Sequence, residues 1–478
     1  MRILIDCSHL DLRAQTAGFS RVVRNYLKHA HTWGETAGVP VRAMRMNAHG
    51  MPYFDDIKPG SHSVHWVQMS WFHRAVVSSI YVCRQLCREV AIYLGRLAEA
   101  AVDLGVAGLP RRRWRQAGKA VLGPILAGLR LPFTALDGAY VRLPGVSVGL
   151  NVDDAVFCPA HWYRHEPAVL KRLQARAGSV VMLVHDVLPI TMPRHYTPEL
   201  SHTQLRAIRQ MLEMGVGVLA ISEATRMDLQ QVAKRCQLEA HIGIAHNGLE
   251  PLCCDSDPTS KPSSSVQPFV NHPDGYLLMV GTIEPKKGHL DAIDAMEQLW
   301  ADGDPRWLVV IGRRGWMSQF IASRMQGSPW WQRKLFWFPS LGDADVALAY
   351  RSAQALVFAS EAEGFGLPLI EAASLGCPVV ARDLPVCREV LGDCAHYFDS
   401  TPQSLLKALR RVADPSERAH LREQMGHFTW PSWAEVVPCV MEGLMNYHRV
   451  PRPFDGPLVM GTPPAAGQFF PRSTLQKT

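Results

Sequence analysis

Short apolar runs alternate along this chain with longer stretches whose apolar residues recur at helical spacing. That is the pattern of a parallel sheet covered by helices. ILID (3–6) predicts a first buried strand, and a helix is expected from about 18 to 30 after a polar loop. SVVMLVHD (179–186) and GVLAIS (217–222) predict further strands, with Ser222 placed to cap the helix that follows. Residues 250–275 are rich in Pro, Ser and Asp and read as a linker. The alternation then restarts with YLLMVG (276–281), a helix near 287–302, WLVVIG (307–312), LFWF (335–338), ALVFAS (355–360), a helix near 367–376 and PVVA (378–381). The expected fold class is α/β, with two Rossmann-like domains over 1–262 and 263–448 facing across a cleft. A Pro- and Gly-rich tail over 449–478 is expected to be disordered. The default ligand site is the crevice at the carboxyl ends of the strands.

Composition supports this reading. The chain has 478 residues, 47% hydrophobic and 19% charged, which suits two or three domains and excludes disorder throughout. Eleven scattered cysteines make a poor disulfide framework and fit a reducing cytosol. Cys83 and Cys87 lack a matching second pair, so no zinc site is expected. The N-terminal MRILIDCSHL lacks the charged and apolar regions of a signal peptide, and no window has 18 uncharged apolar residues. A cytoplasmic protein is expected, with peripheral attachment to the inner face of the plasma membrane as an extension of that reading.

The net charge of +7 is concentrated. Residues 65–134 break the α/β rhythm and read as an insertion. Between Arg84 and Arg130 there are nine Lys and Arg against three acids. The segment includes PRRRWR (110–115) followed by an apolar stretch, which suits an anionic membrane surface. A solvated basic turn between packed helices fits the same residues. No nucleic-acid recognition motif accompanies them, so no nucleic-acid partner is expected.

The strongest chemical signal is SEAEGFGLPLIEAASLGCPVVA (360–381). Gly364 and Gly366 let the chain turn sharply where a strand ends, and Pro368 suits a first helical turn. The helix start can hold an anion such as a diphosphate. Glu363 precedes that helix and Glu371 lies one to two turns inside it, so both carboxylates can face one crevice and accept paired bonds from sugar diols. A second signal is VGTIEPKKGHLDAIDAM (280–296), which sets Lys286 and Lys287 at a strand-to-helix turn as point charges for phosphate oxygens. TAGFSRVVRN (16–25) places Gly18 in a loop that could meet a phosphate or an acceptor, though a plain βα connection fits equally. LVHDVLP (183–189) puts His185 at a strand end, where a neutral imidazole could bond a sugar hydroxyl or move a proton.

With these residues in order, the chain resembles the retaining glycosyltransferases of family four, with GT-B architecture, and in particular bacterial mannosyltransferases of polysaccharide assembly. The paired-glutamate motif E-x7-E is matched by Glu363 and Glu371, and ISEATRMDL, HNGLE, IGRRGW and RDLPVCREVLGDCAHYF also resemble family segments. The resemblance covers roughly 1–62 and 145–446. It implies that Glu363 contacts donor-hexose hydroxyls, that Glu371 contacts the ribose, and that Lys287, with Lys286, binds phosphate. It also implies that His185 touches the sugar near the reacting centre. Gly18, Gly364, Phe365 and Gly366 complete the implied donor site. The implied reaction transfers a hexose, with mannose from GDP-mannose favoured, to a glycan or polyprenyl-diphosphate-linked acceptor without cofactor or metal. A sugar-nucleotide epimerase and a non-catalytic sugar-nucleotide-binding partner are the rival readings. The chain departs from the family pattern at Thr282, where relatives carry Arg, and at Phe19-Ser20, where they read Ile-Gln. Lys286 or Arg313 is the expected substitute for the missing charge.

Overall fold

A computed structural model of the chain describes residues 1–7, 18–46, 52–54, 150–160, 162–165, 167–252, 263–449, 454 and 456–457. The chain divides into two units, residues 1–43 with 150–478, and residues 44–149. The insertion at 65–134 lies outside the described residues.

Strand β1 (Arg2–Asp6) leads into helix α1 (Gly18–Ala37) and then β2 (Val41–Met46). In the second unit, Met44 stands opposite Phe54 and Met46 opposite Pro52, as β3 (Pro52–Phe54) pairs antiparallel. Helix α1 runs one to two turns past its expected end. Gly34 permits this, since a Cβ there would sit 2.5 Å from the Val39 carbonyl of the returning chain. Gly38 then ends the helix at φ 67°, in the left-handed conformation that suits glycine.

The first sheet continues with β4 (Asp154–Cys158), β5 (Ser179–Val184), β6 (Gly217–Ala220) and β7 (Ile242–Ile244), parallel in the order β7-β6-β5-β4-β1. β5 is buried along its whole length, as a central parallel strand covered on both faces must be. The second sheet holds β8 (Tyr276–Val280), β9 (Trp307–Ile311), β10 (Leu335–Phe338), β11 (Ala355–Phe358), β12 (Val379–Arg382) and β13 (His396–Phe398). Its order is β10-β9-β8-β11-β12-β13, every pair parallel. The chain order reverses between β8 and β11, which marks their carboxyl ends as the place for a ligand crevice.

Connecting the strands are α2 (Pro167–Arg176), α3 (Leu188–Thr191), α4 (Pro198–Glu213), α5 (Glu223–Arg235), α6 (Gln267–Val270), α7 (His289–Ala301), α8 (Gln319–Gln326), α9 (Asp343–Ser352), α10 (Leu367–Ser374) and α11 (Pro385–Leu391). Helices α12 (Pro402–Arg411), α13 (Pro415–Gly426) and α14 (Trp433–Arg449) follow. α14 returns to the first sheet. Its Trp433 meets Tyr26 of α1 edge-on at 5.4 Å, and Tyr26 meets Phe157 of β4 in the same way at 5.0 Å. The two passages between the sheets are tied together, Leu249 N donating to Pro431 O at 2.9 Å and Trp433 N to Leu249 O at 3.4 Å.

The expected disordered tail from 449 needs correction in its first part. Phe454 is buried and stacks on Tyr447 at 4.5 Å, and β14 (Gly456–Pro457) pairs with β7. Gly217 and Gly243 make the slot, since a Cβ at either would lie within 3.0 Å of Phe454 atoms. Residues beyond 457 lie outside the described set.

Candidate active site

The loops after β8 and β11 are drawn together by backbone geometry before any side chain acts. Pro285–Lys287 forms a single 3-10 turn, and Gly288 follows at φ 65°. A Cβ on Gly288 would fall 2.0 Å from the Ala359 carbonyl oxygen, so only glycine allows this approach. Glu361 N donates to Lys286 O at 2.7 Å across the same seam. This places both lysines against Glu363. Lys287 Nζ donates to Glu363 Oε1, Ser360 Oγ donates to the same oxygen at 2.7 Å, and Lys286 Nζ stands 4.0 Å from Oε2. All three charged side chains are largely buried. Burial alone would raise the Glu363 pKa, but the charges of Lys287 and Lys286 outweigh it and hold the carboxyl below its ordinary value. Burial alone would lower Lys286, and Glu363, Asp186, Tyr196 and Glu284 outweigh it in the opposite sense. The cluster is thus ionised and electrically dense.

Next to it, burial and then the Lys287 charge lower the pKa of His289, the first residue of α7, to about 4. Between about pH 6.5 and about 4 the unfolded chain accepts a proton on this imidazole that the folded chain refuses. Stability is therefore expected to fall as pH drops through that window, by at most about 3 kcal/mol. Melting curves across it should flatten in His289→Gln relative to wild type. An unchanged slope in the variant would remove this assignment.

Glu371 lies in α10, whose start is set by Gly366 at φ 95°. It does not share the lysine cluster. Its Oε1 receives Arg21 Nη1 at 2.7 Å, and its Oε2 receives the Tyr350 hydroxyl at 3.1 Å. The two glutamates thus sit at different places in the crevice, one on the lysines and one on an arginine from α1. Arg21 Nε is also 3.7 Å from Glu250, which Asn25 Nδ2 holds at 3.0 Å. Burial would lower the Arg21 pKa, and Glu371 and Glu250 raise it instead.

His185 ends β5 fully packed. Its Nε2 lies 2.6 Å from the Pro159 carbonyl, so that nitrogen carries the proton and donates. Burial lowers its pKa despite that bond, which makes it a neutral imidazole near neutral pH. The carbonyl of His185 abuts Gly364, where a Cβ would lie only 1.9 Å from it. The carbonyl of Gly364 accepts from Ser222 Oγ at 2.6 Å and Thr225 Oγ1 at 3.1 Å. Glu389 of α11 caps α5 from the other side, accepting Glu223 N at 2.6 Å and Ala224 N at 3.1 Å. A carboxylate at a helix N-terminus is favoured by the unpaired N–H groups and the dipole. Phe365 follows Gly364 in the loop. It is buried and packs edge-on against Trp430 at 5.6 Å, beside His246, and so shapes the loop from beneath. Gly18 is the first residue of α1. The loop before it lies outside the described residues.

Sequence reasoning missed Arg21, Tyr350, Ser360 and Glu389. Arg21 stood in a quoted motif, three residues after Gly18, but nothing in its spacing tied it to Glu371. Of the two expected substitutes for the charge missing at Thr282, Lys286 reaches the cluster, whereas Arg313 is exposed. A cavity of about 320 Å³ opens beside Lys286, lined also by Tyr196, Glu284 and Trp316. Burial, then Glu363 and Asp186, raise the Glu284 pKa against the pull of the two lysines. Elsewhere, Asp6, Cys158 and His165 bring metal-ligating atom types within 4.8 Å of one another, all buried. Burial and the Asp6 charge push the Cys158 thiol well up, so it stays protonated and donates to Asp6.

Two sheets of this kind, with a crevice at the reversal of strand order, define a doubly wound α/β class of protein whose ligands bind at that crevice. Residues 260–427 match the family model described as Glycosyl transferases group 1. Over 304 residues it is 37% identical to the serotype-specific mannosyltransferase WbdA of Escherichia coli, covering 60% of this chain and 36% of that protein. The chain thus spans little more than a third of that relative's length. It is 26% identical to the O-antigen chain mannosyltransferase B of Escherichia coli, covering 54% of this chain and 68% of that one. Sucrose-phosphate synthase of Thermosynechococcus elongatus shares the fold with a TM-score of 0.57 at 17% identity, over 95% of this chain and 100% of that one. The Anabaena protein HepE, solved with UDP and glucose, aligns with a TM-score of 0.53 at 14% identity, over 93% and 100% of the two chains. The fold is GT-B, two Rossmann-like halves.

Proposed function

We propose that this chain is a retaining hexosyltransferase of bacterial surface-polysaccharide synthesis, using GDP-mannose and a glycan or polyprenyl-diphosphate-linked acceptor. The observation that carries the reading is the buried cluster of Lys286, Lys287 and Glu363 at the reversal of strand order. Its two positive charges are held ready by a carboxylate. A nucleotide-sugar diphosphate entering the crevice takes over those charges, and Glu363 turns to the sugar hydroxyls. As the bond to the anomeric carbon breaks, negative charge grows on the leaving diphosphate. Lys286, Lys287 and the start of α10 stabilise it where little water reaches. The acceptor hydroxyl attacks from the face the diphosphate leaves, and its proton passes to the departing phosphate oxygen. Neutral His185 orients the sugar, and Glu371, held by Arg21 and Tyr350, meets the ribose. In this scheme the lysines supply the positive charge to the diphosphate and no metal is required. The names of the mannosyltransferase relatives support mannose as the transferred sugar. A lipid-linked acceptor places the work at the inner face of the plasma membrane, and the basic segment 84–130 suits that surface. Among the described residues no helix is long and apolar enough to cross a membrane.

Calorimetry with UDP, GDP and ADP on wild type and Glu371→Ala tests this. GDP is expected to bind in the micromolar range, about −8 kcal/mol, and to weaken at least about tenfold in the variant. Preference for UDP or ADP would overturn the donor assignment. No binding of any diphosphate would overturn the donor site itself.

A further inference from the structure

Five large apolar side chains stand exposed among the described residues, and three of them fall within five positions: Trp316 at 49%, Met317 at 58% and Phe320 at 69%. They occupy the loop from β9 and the first turn of α8. Isolated exposed apolar residues are ordinary, but a cluster is not. The backbone adds to the oddity. Met317 sits at φ 50°, a left-handed conformation that residues with a Cβ rarely adopt. The side chain it presents is largely exposed.

The charges within the loop itself are of one sign, with Glu284 lying close beneath Gly315. Arg313 and Arg314 precede it and are exposed, and residues 313–326 contain three arginines and no acid. Arg324 is committed to Asp294 and Glu297, while the Arg314 guanidinium lies over the Trp337 ring at 5.4 Å, near the same surface. An indole, a thioether and a phenyl ring beside cationic guanidinium groups match a membrane interface. There the apolar groups enter the headgroup–acyl boundary and the arginines meet anionic phosphates. The same loop borders the active site, because Trp316 lines the cavity that Lys286 also lines.

We infer that the 313–320 loop is a membrane-docking element that seats the active-site mouth on anionic lipid. The occupant is the lipid headgroup layer. The inference does not depend on the identity of donor or acceptor, and its test reads binding without turnover.

Full-length protein is floated with vesicles made of equal parts phosphatidylethanolamine and phosphatidylglycerol, and separately with phosphatidylcholine alone. Wild type is expected to float with the anionic vesicles and not with the neutral ones. The double variant Met317→Ser with Phe320→Ser, which leaves Trp316 in place, is expected to bind the anionic vesicles about tenfold or more weakly. Its melting temperature should match wild type, since neither side chain is packed. A third protein, with Arg111, Arg112, Arg113 and Arg115 changed to Ser, separates this loop from the basic insertion. Failure of wild type to float overturns the inference. So does unchanged binding by the Met317 and Phe320 variant, in particular if the insertion variant loses all binding. Gel filtration covers the remaining occupant. A wild-type dimer that becomes monomeric in the double variant, without lipid binding by either, would make the patch a self-association surface and overturn the lipid assignment.

Discussion

Glu363→Gln is expected to remove nearly all hexose transfer, about a thousandfold in kcat/KM, while leaving the protein folded. A thousandfold corresponds to about 4 kcal/mol of lost transition-state stabilisation, the scale expected for one positioned charged contact in a water-poor site. The amide keeps the size of the side chain and its contact with Ser360. It cannot neutralise Lys286 and Lys287, and it presents a donor where two sugar hydroxyls need an acceptor. Glu363→Ala is the more obvious variant, and an exposed carboxylate at this position could be removed with the fold intact. The buried pairing changes that expectation. Removing the carboxylate strands two lysine charges in a desolvated place, at about 3 kcal/mol or more of stability. Steady-state kinetics beside thermal melts of both variants separates the effects. Wild-type turnover in the glutamine variant would falsify the role given to Glu363.

Gly364→Ala should be nearly as damaging for a different reason. The added methyl would lie 1.9 Å from the His185 carbonyl, a backbone atom that cannot swing aside. The loop must move, and with it go the bonds from Ser222 and Thr225 to the Gly364 carbonyl, which join the two halves. A displacement of even about 1 Å at reacting groups costs about a hundredfold in rate. The expected result is a loss of that size in kcat, with a melting temperature lowered by a few degrees. Serine at this position should behave like alanine, because the obstacle is the Cβ. Full activity in either variant would show that the two halves need not meet at this point during transfer.

Much of the fold was legible because both sheets are parallel and buried on both faces. Runs such as SVVMLV and YLLMV are then apolar throughout, and their ends announce the loops. Strands β7 and β13 are three residues each and were not legible, since IGI and HYF lack the length for a pattern. At the site, Lys286, Lys287, Glu363 and Glu371 were readable from strand-end position and spacing. Their division into separate pairings was not, because it depends on Arg21, which is 350 residues away from Glu371 in sequence. The orientation of Phe365 was not legible for a related reason. Sequence shows that it follows Gly364, but only the packing of His246 and Trp430 decides which way the ring turns. The first part of the tail was misread because its composition is that of disorder, while the slot that captures Phe454 is made by two glycines in other strands.

The hydrogen bonds joining Leu249 to Pro431 and Trp433 have a mechanical meaning. The chain passes from the first sheet to the second and back again at the same place, like the two leaves of a door sharing one pin. A single connecting strand would let the halves twist and wander. Two passages bonded to each other restrain that twisting. Cutting the chain near 262 would split that pin and take Trp433 away from Tyr26, so neither half should be expected to behave as a free-standing piece.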